Sequence, residues 1–171
     1  AKIIICFSGS KDKTVCLGRK IINEKKLLKK TRFLNLDETD VFNKANWQFP
    51  VCKREGLLVN KNRVEYQKNF VNLKNKLSQI IKKGNIIYTH NPWGEYGHEE
   101  HVQVFKVIKY LEKKFKLTIF VNGYVSNKSY NLMKMQEYLL SNIVQHKTVN
   151  KKLTTKLKKI YISNSCWTFD H

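Results

Sequence analysis

Short apolar runs alternate with longer amphipathic stretches along most of this chain. The first run covers residues 2–7 and leads into the turn-forming Ser8-Gly9-Ser10, a pattern typical of a buried parallel strand. Similar runs follow at residues 32–36, 85–89 and 117–121. Because strands that alternate with helices form parallel sheets, the sequence predicts an α/β fold with a mostly parallel sheet flanked by helices.

The amphipathic stretches predict helices at residues 15–28, 64–83, 98–115, 132–144 and 151–161. Gly84 follows the second of these, in the place of a C-cap glycine. Residues 41–60 fit neither pattern and predict a long irregular loop. Since the chain shows no repeat or linker, we expect one domain over residues 1–171. It opens on Ala1 and stops at His171, and we expect it to be excised or truncated from a longer chain.

Composition and charge narrow the class of protein. The chain is 42% apolar and 27% charged, which excludes a disordered chain, and its formal net charge is +20. Arginine is the residue suited to bidentate contacts with phosphates and bases, but nearly all the basic residues here are lysines. Nucleic acid is therefore not the expected partner. The alternative is that the positive charge forms a polyanion-binding face. Four scattered cysteines indicate a reducing compartment, and no apolar run is long enough to span a membrane. We therefore expect a cytoplasmic protein, of an oligomeric state that the sequence does not set.

The most informative segment follows the third predicted strand and contains Gly94-Glu95-Tyr96-Gly97-His98-Glu99-Glu100-His101. In parallel sheets, ligands bind at the carboxyl ends of strands. His98 and His101 are spaced i and i+3 in the first turn of a predicted helix, so their rings share one face. The positive helix N-terminus disfavours imidazolium, and two neutral imidazoles suit metal ligation or polarisation of a carbonyl. We expect Gly94 and Gly97 to let the backbone approach a ligand, and Glu99 and Glu100 to orient a histidine.

Residues 89–101 resemble the second signature of the LmbE/PIG-L family of zinc-dependent de-N-acetylases. In that family, a strand ending in Thr-His-Asn leads through Gly-Glu-Tyr-Gly-His-x-x-His into a helix, as it does here. The resemblance implies a Rossmann-like three-layer fold. It also implies hydrolysis of the N-acetyl group of an N-acetylglucosamine-type sugar or glycoconjugate, by a metal-activated water and an aspartate base. His101 matches a zinc ligand, and His98 matches the residue that polarises the amide carbonyl.

The family's first signature, His-Pro-Asp-Asp-Glu after the first strand, is replaced by Ser10-Lys11-Asp12-Lys13-Thr14. By position, Asp12 matches the catalytic base, whereas Ser10 and Lys13 stand at two zinc-ligand positions. Serine is a poor zinc ligand and an ammonium group repels the ion, so the match leaves zinc with one of three protein ligands. The candidates for replacement ligands are His90, Asp37, Asp40, Asp170 and His171.

Residues around the two signatures leave alternatives open. The segment 7–14 is also similar to the PP-loop of ATP pyrophosphatases, which cradles a pyrophosphate with backbone N–H groups at a helix N-terminus. We assign Trp93, Glu95 and Tyr96 to substrate binding. Aromatic rings stack on sugars, so Trp93, Tyr96 and Trp47 are the candidates for such a contact; packing of these rings on the sheet is the alternative. The expected function is thus a divergent de-N-acetylase. The alternatives are a catalytically degenerate carbohydrate-binding relative and an ATP-using enzyme.

Overall fold

The computed structural model describes residues 3–24, 31–141 and 148–167. In chain order, the elements are β1 (Ile3–Gly9), α1 (Lys13–Glu24), β2 (Thr31–Asp37), β3 (Cys52–Lys53), β4 (Gly56–Leu57), α2 (Arg63–Ile80), β5 (Ile86–Thr89), α3 (Glu99–Phe115), β6 (Thr118–Val121), α4 (Tyr130–Gln136) and α5 (Lys151–Ser163). They fall into two compact units, residues 1–38 with 142–171 and residues 39–141, and each is described by itself.

The first unit is built on β1 and β2, which pair in parallel. The register joins Ile3 to Thr31 and Phe7 to Leu36, with a shift between them. That shift coincides with a left-handed residue in β2, Asn35, whose φ is 52°. In the helical part, the Tyr161 ring of α5 packs so closely on α1 that a Cβ at Gly18 would lie 2.8 Å from it.

The second unit carries the histidine-rich segment. In it β5 pairs in parallel with β6, and the register joins Ile86 to Thr118 and Thr89 to Val121. Helix α2 buries Tyr66, Phe70, Leu73 and Leu77, the i, i+4, i+7 spacing of one helical face. A separate cluster of Trp47, Leu57, Trp93, Val102 and Leu132 packs the loops onto the start of α3. This cluster fixes where the first turn of α3 lies.

The mixed α/β class and the four predicted strands are confirmed, while the Rossmann-like arrangement and the single domain stay predictions. None of the described helices is long and apolar enough to cross a membrane. The helix predicted over residues 132–144 is wrong in its extent. It ends at Gln136, one 3₁₀ turn follows over Glu137–Leu139, and Leu140 is extended. The last three residues of that prediction lie outside the described residues, as do residues 25–28 of the first predicted helix.

Two further expectations are corrected between the elements. Gly84 is not the C-cap of α2, because the helix ends at Ile80 and Ile81 is already extended. The Asn85 side chain accepts the N–H of Lys82 instead, and Gly84, at φ 77°, turns the chain into β5. The loop predicted over residues 41–60 also contains a short hairpin, in which Cys52 pairs with Leu57 across β3 and β4.

Candidate metal centre

His98 stands at the N-cap of α3 and is neutral. Its Nδ1 accepts a hydrogen bond from the Glu100 N–H at 3.3 Å. Burial, followed by the nearby imidazoles of His101 and His90, lowers the pKa of His98 to about 3. Because Nδ1 is an acceptor in this neutral ring, the proton resides on Nε2. The side chain is therefore an uncharged hydrogen-bond donor at neutral pH.

Glu95 lies between two further histidines. Its Oε2 is 2.8 Å from His101 Nδ1 and 3.2 Å from His90 Nδ1. Burial alone would raise the pKa of Glu95, but the hydrogen bonds from His101 and His90 outweigh it and hold that pKa well below its usual range. The carboxylate is thus ionised and accepts a hydrogen bond from the Nδ1–H of each ring.

The three imidazoles form a stack that we call the histidine stack: His90, His101 and His98. The ring centroids of His90 and His101 are 3.8 Å apart with planes at 16°, and those of His98 and His101 are 4.5 Å apart with planes at 9°. Tyr96 meets His98 and His101 edge-on, at 6.0 and 5.3 Å. The stack combines rings from the loop after β5 and from the first turn of α3.

Glu95 is held in place by groups that the sequence did not point to. It adopts a left-handed φ of 54°, and the fully buried Asn91 accepts its N–H at 2.9 Å. Its Oε1 accepts from Asn91 N–H at 2.9 Å and from Asn122 Nδ2 at 2.7 Å, and Ser129 Oγ donates to its carbonyl. Asn122 and Ser129 lie far along the chain, so only the Thr-His-Asn triplet could have drawn attention to this support.

The two glycines of the loop, Gly94 and Gly97, are left-handed and lie close to other parts of the protein. Gly94 has φ 66°, and a Cβ there would lie 2.5 Å from the carbonyl oxygen of His98. Gly97 has φ 87°, and a Cβ there would lie 2.8 Å from Lys128 Cδ. The close approach is therefore to other parts of the protein, which permits the tight turn before His98.

The carboxylates of the two acidic residues after His98 accept hydrogen bonds from a neighbouring loop, while the carboxylate hydrogen-bonded to His90 and His101 is that of Glu95. The fully buried Glu99 accepts the backbone N–H groups of residues 43–45 and the indole N–H of Trp47. Glu100 accepts the N–H and hydroxyl of Thr39. Both carboxylates anchor the loop of residues 39–47 to the N-terminus of α3, where negative charge is favourable.

The residues predicted to bind substrate occupy different environments. Trp93 is 5% exposed and its indole donates to the Tyr124 carbonyl, while Trp47 is also buried in the core cluster. Glu95 is 7% exposed and lies in the histidine cluster. Tyr96 is 43% exposed and borders the histidine stack, so it is the member of the predicted set with ring surface open to a ligand.

Asp12, Ser10 and Lys13 belong to the first unit. Asp12 Oδ1 accepts the N–H groups of Thr14 at 2.8 Å and Val15 at 3.3 Å, so it caps the N-terminus of α1. Ser10 Oγ accepts the Asp12 N–H, and Lys13 is the first residue of the helix. Two of the N–H groups that a PP-loop would offer to a phosphate are engaged by Asp12 itself.

Three side chains of the second unit have the chemistry of a zinc site. One ligand atom from each of His90, Glu95 and His101 lies within 4.8 Å of the other two. Imidazole nitrogen and carboxylate oxygen are donors that Zn²⁺ takes, and three protein ligands with one open position are typical of catalytic sites. Of the replacement ligands considered from the sequence, His90 lies beside His101, and Glu95, which was not among them, lies with both. Asp170 and His171 lie outside the described residues.

Comparisons with known proteins add no identification. No family model, no curated protein and no solved structure matches this chain.

Proposed function

We propose that this chain is a metal-dependent hydrolase that removes the acetyl group from an N-acetylated amino sugar. The observation that carries the proposal is the neutral His98 donor beside a His90–Glu95–His101 donor set. The reaction class comes from the resemblance to the LmbE/PIG-L de-N-acetylases, whose second signature has these residues. The same resemblance supports a Rossmann-like fold and zinc as the metal.

We assign the following roles in the proposed reaction to the described side chains. His90, Glu95 and His101 would hold Zn²⁺, which when bound supplies Lewis acidity and lowers the pKa of a water molecule. His98 would donate its Nε2–H to the acetamide oxygen; a neutral donor aimed at developing negative charge stabilises it without a prior proton transfer. Tyr96, with its exposed ring next to His98, would contact the sugar.

The reaction also needs a general base that takes a proton from the water molecule. The resemblance assigns it to Asp12, and the structure shows that carboxylate as the cap of α1. Acetate release by Asp12→Asn tests this role separately from the metal, because Asn also caps helices well and so preserves the fold. A loss of turnover with unchanged zinc affinity would support Asp12 as the base.

Zinc affinity measured by calorimetry is the first test of the proposal. We expect one Zn²⁺ per chain with a Kd of about 1 µM or tighter, which corresponds to about −8 kcal/mol. His101→Ala and Glu95→Gln should weaken binding at least about tenfold, as losses at or next to metal ligands do. Glu137→Gln is the matched control, because Glu137 is an exposed glutamate of the same unit. Equal affinities of the wild type and His101→Ala would contradict the metal centre.

Acetate release from a panel of N-acetylated sugars tests the reaction. We expect zinc-dependent release that His98→Asn lowers, since Asn can still accept the Glu100 N–H but lacks a donor at the Nε2 position. Zinc binding without release from any sugar would favour the degenerate carbohydrate-binding alternative.

A further inference from the structure

Lys128 is a half-buried lysine in the segment between β6 and α4, and its ammonium group has four partners. Nζ donates to the carbonyl oxygen of Gly97 and to Asn43 Oδ1. It also lies 4.3 Å from the Phe42 ring centroid and 4.8 Å from that of Trp47. Cation–π contacts of this kind gain strength when the cation is shielded from water.

The aliphatic part of Lys128 fits against the turn before His98. A Cβ at Gly97 would lie 2.8–3.0 Å from Cδ, Cγ and Cε of Lys128. The absence of a side chain at position 97 therefore makes room for this lysine. Contacts along both its stem and its ammonium group fix Lys128 against the Gly97 backbone.

Two of the four partners of Lys128 adjoin His98. Gly97 directly precedes His98, and the Phe42 ring packs on the imidazole with centroids 4.9 Å apart. Lys128 thus joins the backbone entering His98 to the ring that contacts its side chain. Burying a charged group costs free energy, and burial lowers the pKa of Lys128. A lysine whose ammonium group pointed into water would avoid this cost.

We propose that Lys128 is a positioning residue that holds the His98 imidazole in its donor orientation by clamping Phe42 and Asn43 onto the Gly97 carbonyl. The role in turnover rests on the proposed de-N-acetylation, while the effect on the imidazole does not. Small displacements of a catalytic group cost rate more than affinity, so the rate constant is the sensitive quantity.

Kinetics of Lys128→Met test the role in turnover. We expect kcat to fall at least about tenfold, with the KM for the N-acetyl sugar and the Kd for zinc changed less than about threefold. Lys134→Met is the matched control, because Lys134 also lies over an aromatic ring, 4.6 Å from the Tyr130 centroid, but is exposed. A kcat equal to that of Lys134→Met would overturn the proposal.

The imidazole ¹⁵N shifts of the metal-free protein give a readout that does not need turnover. We expect the wild type and Lys134→Met to show His98 as a single Nε2–H tautomer, and Lys128→Met to show averaged shifts of both tautomers. An unchanged His98 pattern in Lys128→Met overturns the proposal even if no sugar is hydrolysed. If Lys128→Met does not fold, Asn43→Ala removes one partner of the ammonium; an unchanged His98 pattern there overturns the proposal as well.

Discussion

Replacing Glu99 by Gln keeps the shape of a fully buried side chain and removes its charge. Glu99 Oε1 accepts from the N–H groups of Lys44 and Ala45 at 2.9 Å and from Trp47 Nε1 at 3.0 Å. Its Oε2 accepts from the Asn43 N–H at 3.2 Å. A glutamine can offer its oxygen to the first three donors, but then turns an N–H towards the fourth.

The energetic cost follows from this change of donors and acceptors. One unsatisfied buried N–H costs about 1–3 kcal/mol, and the other three hydrogen bonds lose their charge assistance. An amide is cheaper to bury than a carboxylate, which offsets part of that loss. We therefore expect Glu99→Gln to lower the free energy of unfolding by about 3 kcal/mol.

Urea unfolding followed by tryptophan fluorescence measures this free energy. Glu65→Gln is the control, because Glu65 is exposed in the first turn of α2, where its charge interacts favourably with the helix dipole; we expect it to cost less than about 1 kcal/mol. If Glu99→Gln cost no more than Glu65→Gln, the carboxylate would not be what anchors the loop of residues 39–47.

Three further outcomes are expected. Gly97→Ala should lose about 1–3 kcal/mol of stability in urea, since its φ is left-handed and a Cβ would press on Lys128; a neutral result would contradict the tight fit. Asn122→Ala should weaken zinc binding about tenfold in calorimetry, because it removes a hydrogen bond that orients Glu95; an unchanged Kd would show that Glu95 needs no such support. Burial raises the pKa of Cys6 to about 12, so the native thiol stays protonated at a pH where the unfolded thiol ionises. Stability should therefore fall as pH rises above about 9, by at most about 1.4 kcal/mol per pH unit, and Cys6→Ala should flatten this slope in urea unfolding at pH 8–10.

Features set by local patterns were predictable from the sequence. The strands follow from apolar runs, and α3 begins within one residue of its predicted start because an N-cap and acidic first turn mark it. The end of α4 was not predictable in this way, because apolar residues continue the helical period through Leu139 and Leu140 while the backbone at Leu140 is extended. Local pattern alone does not decide where such a helix stops.

The spacing of the histidines in the site was predictable from the sequence, whereas the hydrogen-bond partners of its carboxylates were not. The pairing of His98 with His101 follows from helical spacing. The partners of Glu95 and Glu99 do not, since hydrogen bonds between distant segments leave no periodic trace in the sequence. Asn122 lies 27 positions from Glu95, and Trp47 lies 52 positions from Glu99. The carboxylate hydrogen-bonded to His90 and His101 belongs to Glu95, for which the sequence predicted substrate binding instead.

The parallel rings of the histidine stack bear on the kinetics of the proposed zinc binding. An imidazole lone pair lies in the plane of its ring, and the planes of His90 and His101 are only 16° apart at a centroid spacing of 3.8 Å. A single ion ligated by both rings would have to lie in both planes, about 2.1 Å from a nitrogen of each ring. Two planes at this spacing and angle do not intersect that close to the nitrogens. If both rings ligate a single ion, one of them would therefore have to rotate out of the stack first. Association with zinc should then be limited by this ring rotation, so that its rate saturates as the zinc concentration rises.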